Sequence, residues 1–204
     1  MRRTLHRLAG GIVAALLAAG CAAPAPGADP AAGSADEALR ATTWRGRFAL
    51  TATEPAAGGE PPRQDGATGS FVLRRVRTAA QDALTLELYS PLGQTLALAS
   101  SDAGGARIEL ADGRRFQAAD PDLLTEQSFG WRLPLSRLTD WLEGKAAGTA
   151  ERDAAGRLVR ATDSNWRVTV TGWDDRLPRR LELDWPVEPA QPARTIRLRL
   201  VVDA

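Results

Sequence analysis

In stretch after stretch of this chain, apolar residues fall on every second position, the period of an extended strand with one buried face. Trp44, Phe48 and Leu50 share one face, with Arg45, Arg47 and Thr51 on the other. The alternation returns at Phe71 and Leu73, then at Leu84, Leu86 and Leu88 against Thr85, Glu87 and Tyr89. Leu96 and Leu98 continue it, as do Ile108 and Leu110, and Asp112-Gly113 is a tight-turn signal leading into Arg114–Gln117. After residue 157 it resumes through Trp166, Val168 and Val170, then Leu181, Leu183 and Trp185, and last Ile196, Leu198, Leu200 and Val202. The Gly/Pro-rich stretch at about 54–69 reads as a long polar hairpin loop.

The rhythm breaks once. Asp120 before Pro121 is a helix-cap signal, and Leu135, Leu138, Trp141 and Leu142 form one apolar helical stripe ended by Gly144. The pattern therefore predicts a mainly β (α+β) domain of about ten or eleven short strands with one helical insertion. Its short connections require antiparallel neighbours, because parallel ones need long crossovers. A sheet of that size with one apolar face curls, and either closes or is covered by the helices, around a concave apolar interior that is either filled or open.

Upstream of the strands the chain carries a different signal. Arg2, Arg3 and Arg7 precede an apolar run from Leu8 to Gly20, and Cys21 follows directly. About thirteen residues rise only about 20 Å as a helix, short of a bilayer core of about 30 Å, so residues 1–20 read as a removed secretory signal. Cys21 matches a bacterial lipidation site, with Ala18 standing where leucine is commoner. Residues 21–39 are small, polar and proline-broken, a tether of about 20–25 Å reach. Residues 40–204 form the folded domain.

From Cys21 onward the chain has 23 basic and 25 acidic residues, a balance unsuited to nucleic acid. His6 is the only histidine and Cys21 the only cysteine, so His- or Cys-based zinc sites, Ser-His-Asp triads and Cys-His pairs are excluded. An enzyme would have to use carboxylates, Asp120 and Glu126 being examples.

Several segments in order resemble the outer-membrane lipoprotein LolB family. They are Trp44-Arg45-Gly46-Arg47-Phe48-Ala49-Leu50, Ser90-Pro91-Leu92-Gly93-Gln94-Thr95, and Gly130-Trp131-Arg132-Leu133-Pro134-Leu135 followed by Leu138, Trp141, Leu142 and Gly144. Asp112-Gly113-Arg114 and Ile196-Arg197-Leu198 fit as well, so the similarity spans about residues 40–203. The resemblance implies an open, strongly curved antiparallel β half-barrel with a helical lid around a hydrophobic cavity. It also implies an activity: accepting lipoproteins from a soluble LolA-like periplasmic carrier and inserting them into the outer membrane. Ala22 after the lipidated cysteine agrees with export to that membrane. The protein is then lipid-anchored on the periplasmic face, a monomer, with no cofactor beyond the covalent lipid on Cys21, and not an enzyme.

On this reading the cavity and lid candidates are Phe48, Leu50, Phe71, Leu86, Leu88, Leu96, Trp131, Leu135, Leu138, Trp141, Leu142, Trp166 and Leu183. Pro91, Leu92 and Gly93 form a membrane-insertion loop by this motif match, although Leu92 without it fits better as an incidental loop leucine tucked against Tyr89 or Leu96. The tryptophans divide between core filling and cavity lining. The rival reading is a structural lipoprotein subunit of an envelope assembly complex, with a filled core.

Overall fold

The computed structural model describes residues 41–56, 61–78, 81–175, 177–187 and 194–203. The signal, Cys21 and the tether lie outside the described residues. The strands are β1 (Ala41–Glu54), β2 (Arg63–Arg77), β3 (Asp82–Tyr89), β4 (Thr95–Asp102), β5 (Gly105–Leu110) and β6 (Arg115–Ala118). Helices α1 (Pro121–Phe129) and α2 (Leu135–Leu142) follow, then β7 (Thr149–Arg152), β8 (Leu158–Asp163), β9 (Trp166–Asp174), β10 (Leu177–Trp185) and β11 (Thr195–Val202).

All eleven strands form one sheet in the order β6-β5-β4-β3-β2-β1-β11-β10-β9-β8-β7, every ladder antiparallel. The first and last strands meet in its middle, and β6 and β7 are its two free edges. The chain leaves one edge after β6 and rejoins the sheet at the other, so the segment between them must cross a face. That segment carries α1 and α2, and the apolar stripe of α2, with Leu124 of α1, brings it over the concave side. The connectivity itself produces an open half-barrel with a helical lid.

Local chemistry sets the helix ends. The Leu123 N–H donates to Asp120 Oδ1 at 2.8 Å, and Gly130 closes α1 in the left-handed region at φ 74°. Pro134 disfavours helical backbone at Leu133 and, with its own ψ at 87°, stands as the N-cap, so α2 starts at Leu135, two residues later than the apolar stretch beginning at Leu133.

Two expectations from the sequence need correction. Within the stretch at 54–69, Glu54 and residues 63–69 are strand, because β2 begins at Arg63 and pairs with β1 without a break from Glu54↔Arg63 to Ala41↔Val76. Its small residues supply backbone where neighbours crowd: a Cβ on Gly69 would lie 1.9 Å from the carbonyl oxygen of Tyr89. Leu98 does not continue the inward face begun at Leu96. Leu88 pairs with Ala97 and Tyr89 with Thr95, so Leu96 is the extra residue of a β-bulge. The bulge shifts the alternation by one, turning Ala97 and Ala99 inward and leaving Leu98 47% exposed.

On the convex face Arg197 Nε meets Asp184 Oδ1 at 2.7 Å, and Arg199 Nε meets Glu182 Oε1 at 3.1 Å. Cross-strand pairs of this kind contribute about 0.2–1 kcal/mol each. Arg75 and Asp163 help to fasten the lid from beneath. Arg75 on β2 donates to the Thr139 hydroxyl of α2 while pairing with Asp82 of β3 at 2.6 Å. Asp163, at the end of β8, accepts from Trp141 Nε1 at 3.1 Å and from the Ala147 N–H at 3.1 Å.

Burial alone would raise the Asp163 carboxyl. The Ala147 N–H, the Trp141 indole, the Ser164 hydroxyl and Arg137 outweigh it and hold the group below the usual carboxylate range. The stability this contributes is present above the unfolded value of about 4 and is lost as pH falls through the lower folded value. Asp163→Ala, which strands the buried Trp141 indole N–H and removes the acceptor of the Ala147 N–H, is expected to cost about 1–3 kcal/mol in urea unfolding at neutral pH. The loss should shrink in acid, once Asp163 in the parent chain is protonated too. An unfolding midpoint that does not move would show that Asp163 does not hold the lid.

Candidate functional site: an apolar cavity under the lid

Between sheet and lid lies a cavity of about 290 Å³. Of its twenty lining residues, Thr125 alone is polar. The Thr125 hydroxyl accepts from the Leu133 N–H at 2.9 Å and donates to the Asp122 carbonyl at 2.8 Å, so it offers a guest nothing. Such a surface recognises hydrocarbon and excludes charge.

Phe48, Leu50, Phe71, Leu86, Leu88, Leu96, Trp131, Leu135 and Leu138 all reach this cavity. Trp141, Leu142, Trp166 and Leu183 do not, which corrects the expectation for those four: each is 0% exposed, in solid core. The reason lies in the stripe of α2. Its first turn presents Leu135 and Leu138 to the cavity, while its last turn sets Trp141 against Trp166, with ring centroids 6.4 Å apart. Trp131 and Trp185 flank Trp166 at 6.0 and 6.4 Å. Indoles thus fill the trough over β8–β10, and the half over β1–β5 stays open.

Alanines keep that half open. Ala67, Ala97 and Ala99 line the cavity, and Ala97, Ala99 and Ala106 form a small cluster with Ile108 and Leu124 beneath α1. Sequence reasoning passed over these alanines because periodicity weighs apolar character and not volume. It passed over Phe129 because α1 carries no strong stripe. Leu198 and Leu200 line the cavity too, and their alternation had already placed them on the inner face.

The burial gradient locates the mouth. Phe71, Ile108, Leu124, Leu135 and Leu138 are buried, whereas Leu50, Ala67, Leu88, Leu96, Leu110 and Phe129 are half-buried. The second set lies where β3 turns into β4, where β5 turns into β6, where α1 ends, and at the Leu50↔Ala67 pair of β1 and β2. The mouth therefore opens at the end of the sheet that carries the loop at 90–94.

That loop is a tight turn with Leu92 at its apex. The Gly93 N–H donates to the Ser90 carbonyl at 2.9 Å, with Gly93 at φ 80°. The Ser90 hydroxyl accepts from the N–H groups of Leu92 at 3.3 Å and Gln94 at 3.2 Å. Pro91 stiffens the approach, and Leu92 stands 87% exposed, tucked against neither Tyr89 nor Leu96. The two acids of an enzymatic reading are structural instead: Asp120 caps α1, and Glu126 pairs with Arg132 at 2.9 Å on the surface.

A half-barrel with an uncharged trough, a helical lid and one bare leucine beside the mouth defines a class of protein built to hold hydrocarbon for a time. A family model described as "Outer membrane lipoprotein LolB" matches residues 42–204. The chain is similar to the outer-membrane lipoprotein LolB of Ralstonia nicotianae, 36% identical, with 98% of this chain and 97% of the relative covered. It is similar to that of Bordetella petrii at 35%, with 98% and 94% covered, and to that of an Azoarcus strain at 33%, with 99% and 95% covered. The chain belongs to the LolB family of outer-membrane lipoproteins, which localises lipoproteins and performs no enzymatic reaction.

Proposed function

We propose that this protein accepts lipoproteins from a soluble LolA-like carrier, holds their acyl chains in the cavity, and releases them into the outer membrane from its periplasmic face. The observation that carries the reading is the pairing of an apolar cavity with an exposed leucine at its mouth. Burying hydrocarbon is worth about 0.8 kcal/mol per CH₂, so a cavity as apolar and roomy as a bilayer would never let a cargo go. This one is apolar but small. An apolar cavity of about 150 Å³ takes up benzene, so 290 Å³ takes about a dozen carbons. Two or three long chains are only partly covered, and the rest of their burial awaits them in the membrane. No phosphate-cradling loop occurs in the sequence, in keeping with transfer that runs downhill without nucleotide. A structural subunit with a filled core has no account of this cavity.

Incubating the purified protein with a carrier loaded with a labelled lipoprotein, then adding outer-membrane vesicles, tests the proposal. Label should pass to the protein and then to the vesicles. Label that stays on the carrier would end it.

In this proposal Cys21 carries the lipid anchor, the segment after it is a tether, and the domain works as a monomer. Cys21→Ala is expected to abolish incorporation of radiolabelled palmitate and move the protein from the membrane to the soluble periplasmic fraction. A variant that stays membrane-bound and labelled would remove Cys21 from that role.

A further inference from the structure

The concave face ends, at the mouth, in a pair of opposite charges. On β1 and β11 the inward rungs run Phe48↔Leu200, Leu50↔Leu198 and Ala52↔Ile196. The first two rungs line the cavity. Two residues beyond the last of these rungs stand Glu54, at the end of β1, and Arg194, just before β11, and Arg194 Nη2 donates to Glu54 Oε1. Their side chains are 42% and 30% exposed, so the pair sits at the rim and not in the core. The same guanidinium lies against the end of α1: a Cβ built on Gly130 would meet Arg194 Nη1 at 3.3 Å. Gly130 follows Phe129, itself a lining residue.

Arg194 is thus a cation at the mouth of a cavity whose walls carry no charge. It is held by Glu54 on one side and favoured by the negative end of α1 on the other. A hydrocarbon chain lying in the cavity leaves its oxygen-bearing head at the mouth, since the lining is almost wholly apolar and disfavours a polar group. A half-exposed ion pair is also a weak one, of about 0–1 kcal/mol, so an incoming acceptor can displace Glu54.

We propose that Arg194 is the head-group subsite, donating to the carboxylate or ester carbonyl of an acyl guest, with Glu54 as the acceptor that occupies it between guests. This rests on the reading that the cavity holds acyl chains, and adds a polar contact that fixes which end of the chain faces out.

The test uses the full chain carrying Cys21→Ala and a neutral dye, N-phenyl-1-naphthylamine, displaced from the cavity by laurate or by methyl laurate. Arg194→Met should weaken laurate about tenfold, the range of a charge-assisted hydrogen bond, and methyl laurate by less. Affinity for the headless dye should hold within twofold, which also reports an intact cavity. Glu54→Gln, removing the competing carboxylate, should tighten laurate several-fold. Equal weakening of laurate and methyl laurate by Arg194→Met would still support the subsite and assign it to the shared carbonyl oxygen. If the parent chain binds dye and laurate but neither variant changes laurate, the subsite is wrong while the cavity reading stands. If the parent chain binds none of the three, the cavity reading fails and takes the subsite with it.

Discussion

Replacing Leu92 with glutamate is expected to leave folding and acyl-chain uptake unchanged while reducing delivery to membranes at least about thirtyfold. The side chain is 87% exposed, so its loss removes almost no packing, and stability should stay within about 0.5 kcal/mol of the parent. Its hydrogen-bonded turn is made by backbone groups of Ser90, Leu92, Gly93 and Gln94 and by the Ser90 hydroxyl, and a change of side chain at Leu92 leaves all of them in place. What is lost is the free energy of burying one leucine in the bilayer, about 2 kcal/mol, or thirtyfold in an equilibrium. A carboxylate at that depth adds a further penalty. Uptake from a loaded carrier and release into vesicles, measured separately, give the readout. The expected pattern is normal uptake, with cargo then stranded on the protein. Leu92→Trp, which keeps an apolar apex, should deliver. A glutamate variant that delivers at the parent rate would show that the loop does not engage the membrane.

The strands were legible because alternation is a one-dimensional signal. Leu84, Leu86 and Leu88, or Ile196 through Val202, mark an inner face from their spacing alone. The lid was legible too, since Asp120, Pro121 and the stripe from Leu135 to Leu142 name a helical interruption. Three things depend on geometry that spacing does not encode. The bulge at Leu96 arises from the pairing of β4 with β3 and has no local mark, so Leu98 was assigned to the wrong face. The strand character of residues 63–69 comes from fourteen consecutive β1–β2 pairs, which override a composition that favours loop. The division of the trough into a filled half and an empty half is a matter of volume, with Trp141 and Trp166 on one side and Ala97 and Ala99 on the other. The exposed apex at Leu92 stood between: Pro91 and Gly93 announced the tight turn, and the structure was needed to show the leucine bare.

The alanines under α1 give the second large prediction. Ala97→Leu with Ala99→Leu is expected to reduce acyl-chain binding and lipoprotein transfer more than about tenfold while stability holds or rises. Both alanines are 4% exposed, both point inward after the bulge, and both line the cavity. Each exchange adds three carbons. By the benzene yardstick, six carbons occupy about 150 Å³, half of the 290 Å³ present. Burying the added groups is worth up to about 0.8 kcal/mol per carbon, opposed by an overpacking cost of about 1–3 kcal/mol, so a modest net gain is expected. A destabilised protein also loses binding, which is why the two measurements must be made on the same sample. Weaker binding in a protein whose urea midpoint is unchanged or higher identifies the empty volume itself as the working part, kept open by small side chains at a cost in stability. A double variant that retains parent affinity for laurate and normal transfer would place the acyl chains elsewhere on the protein.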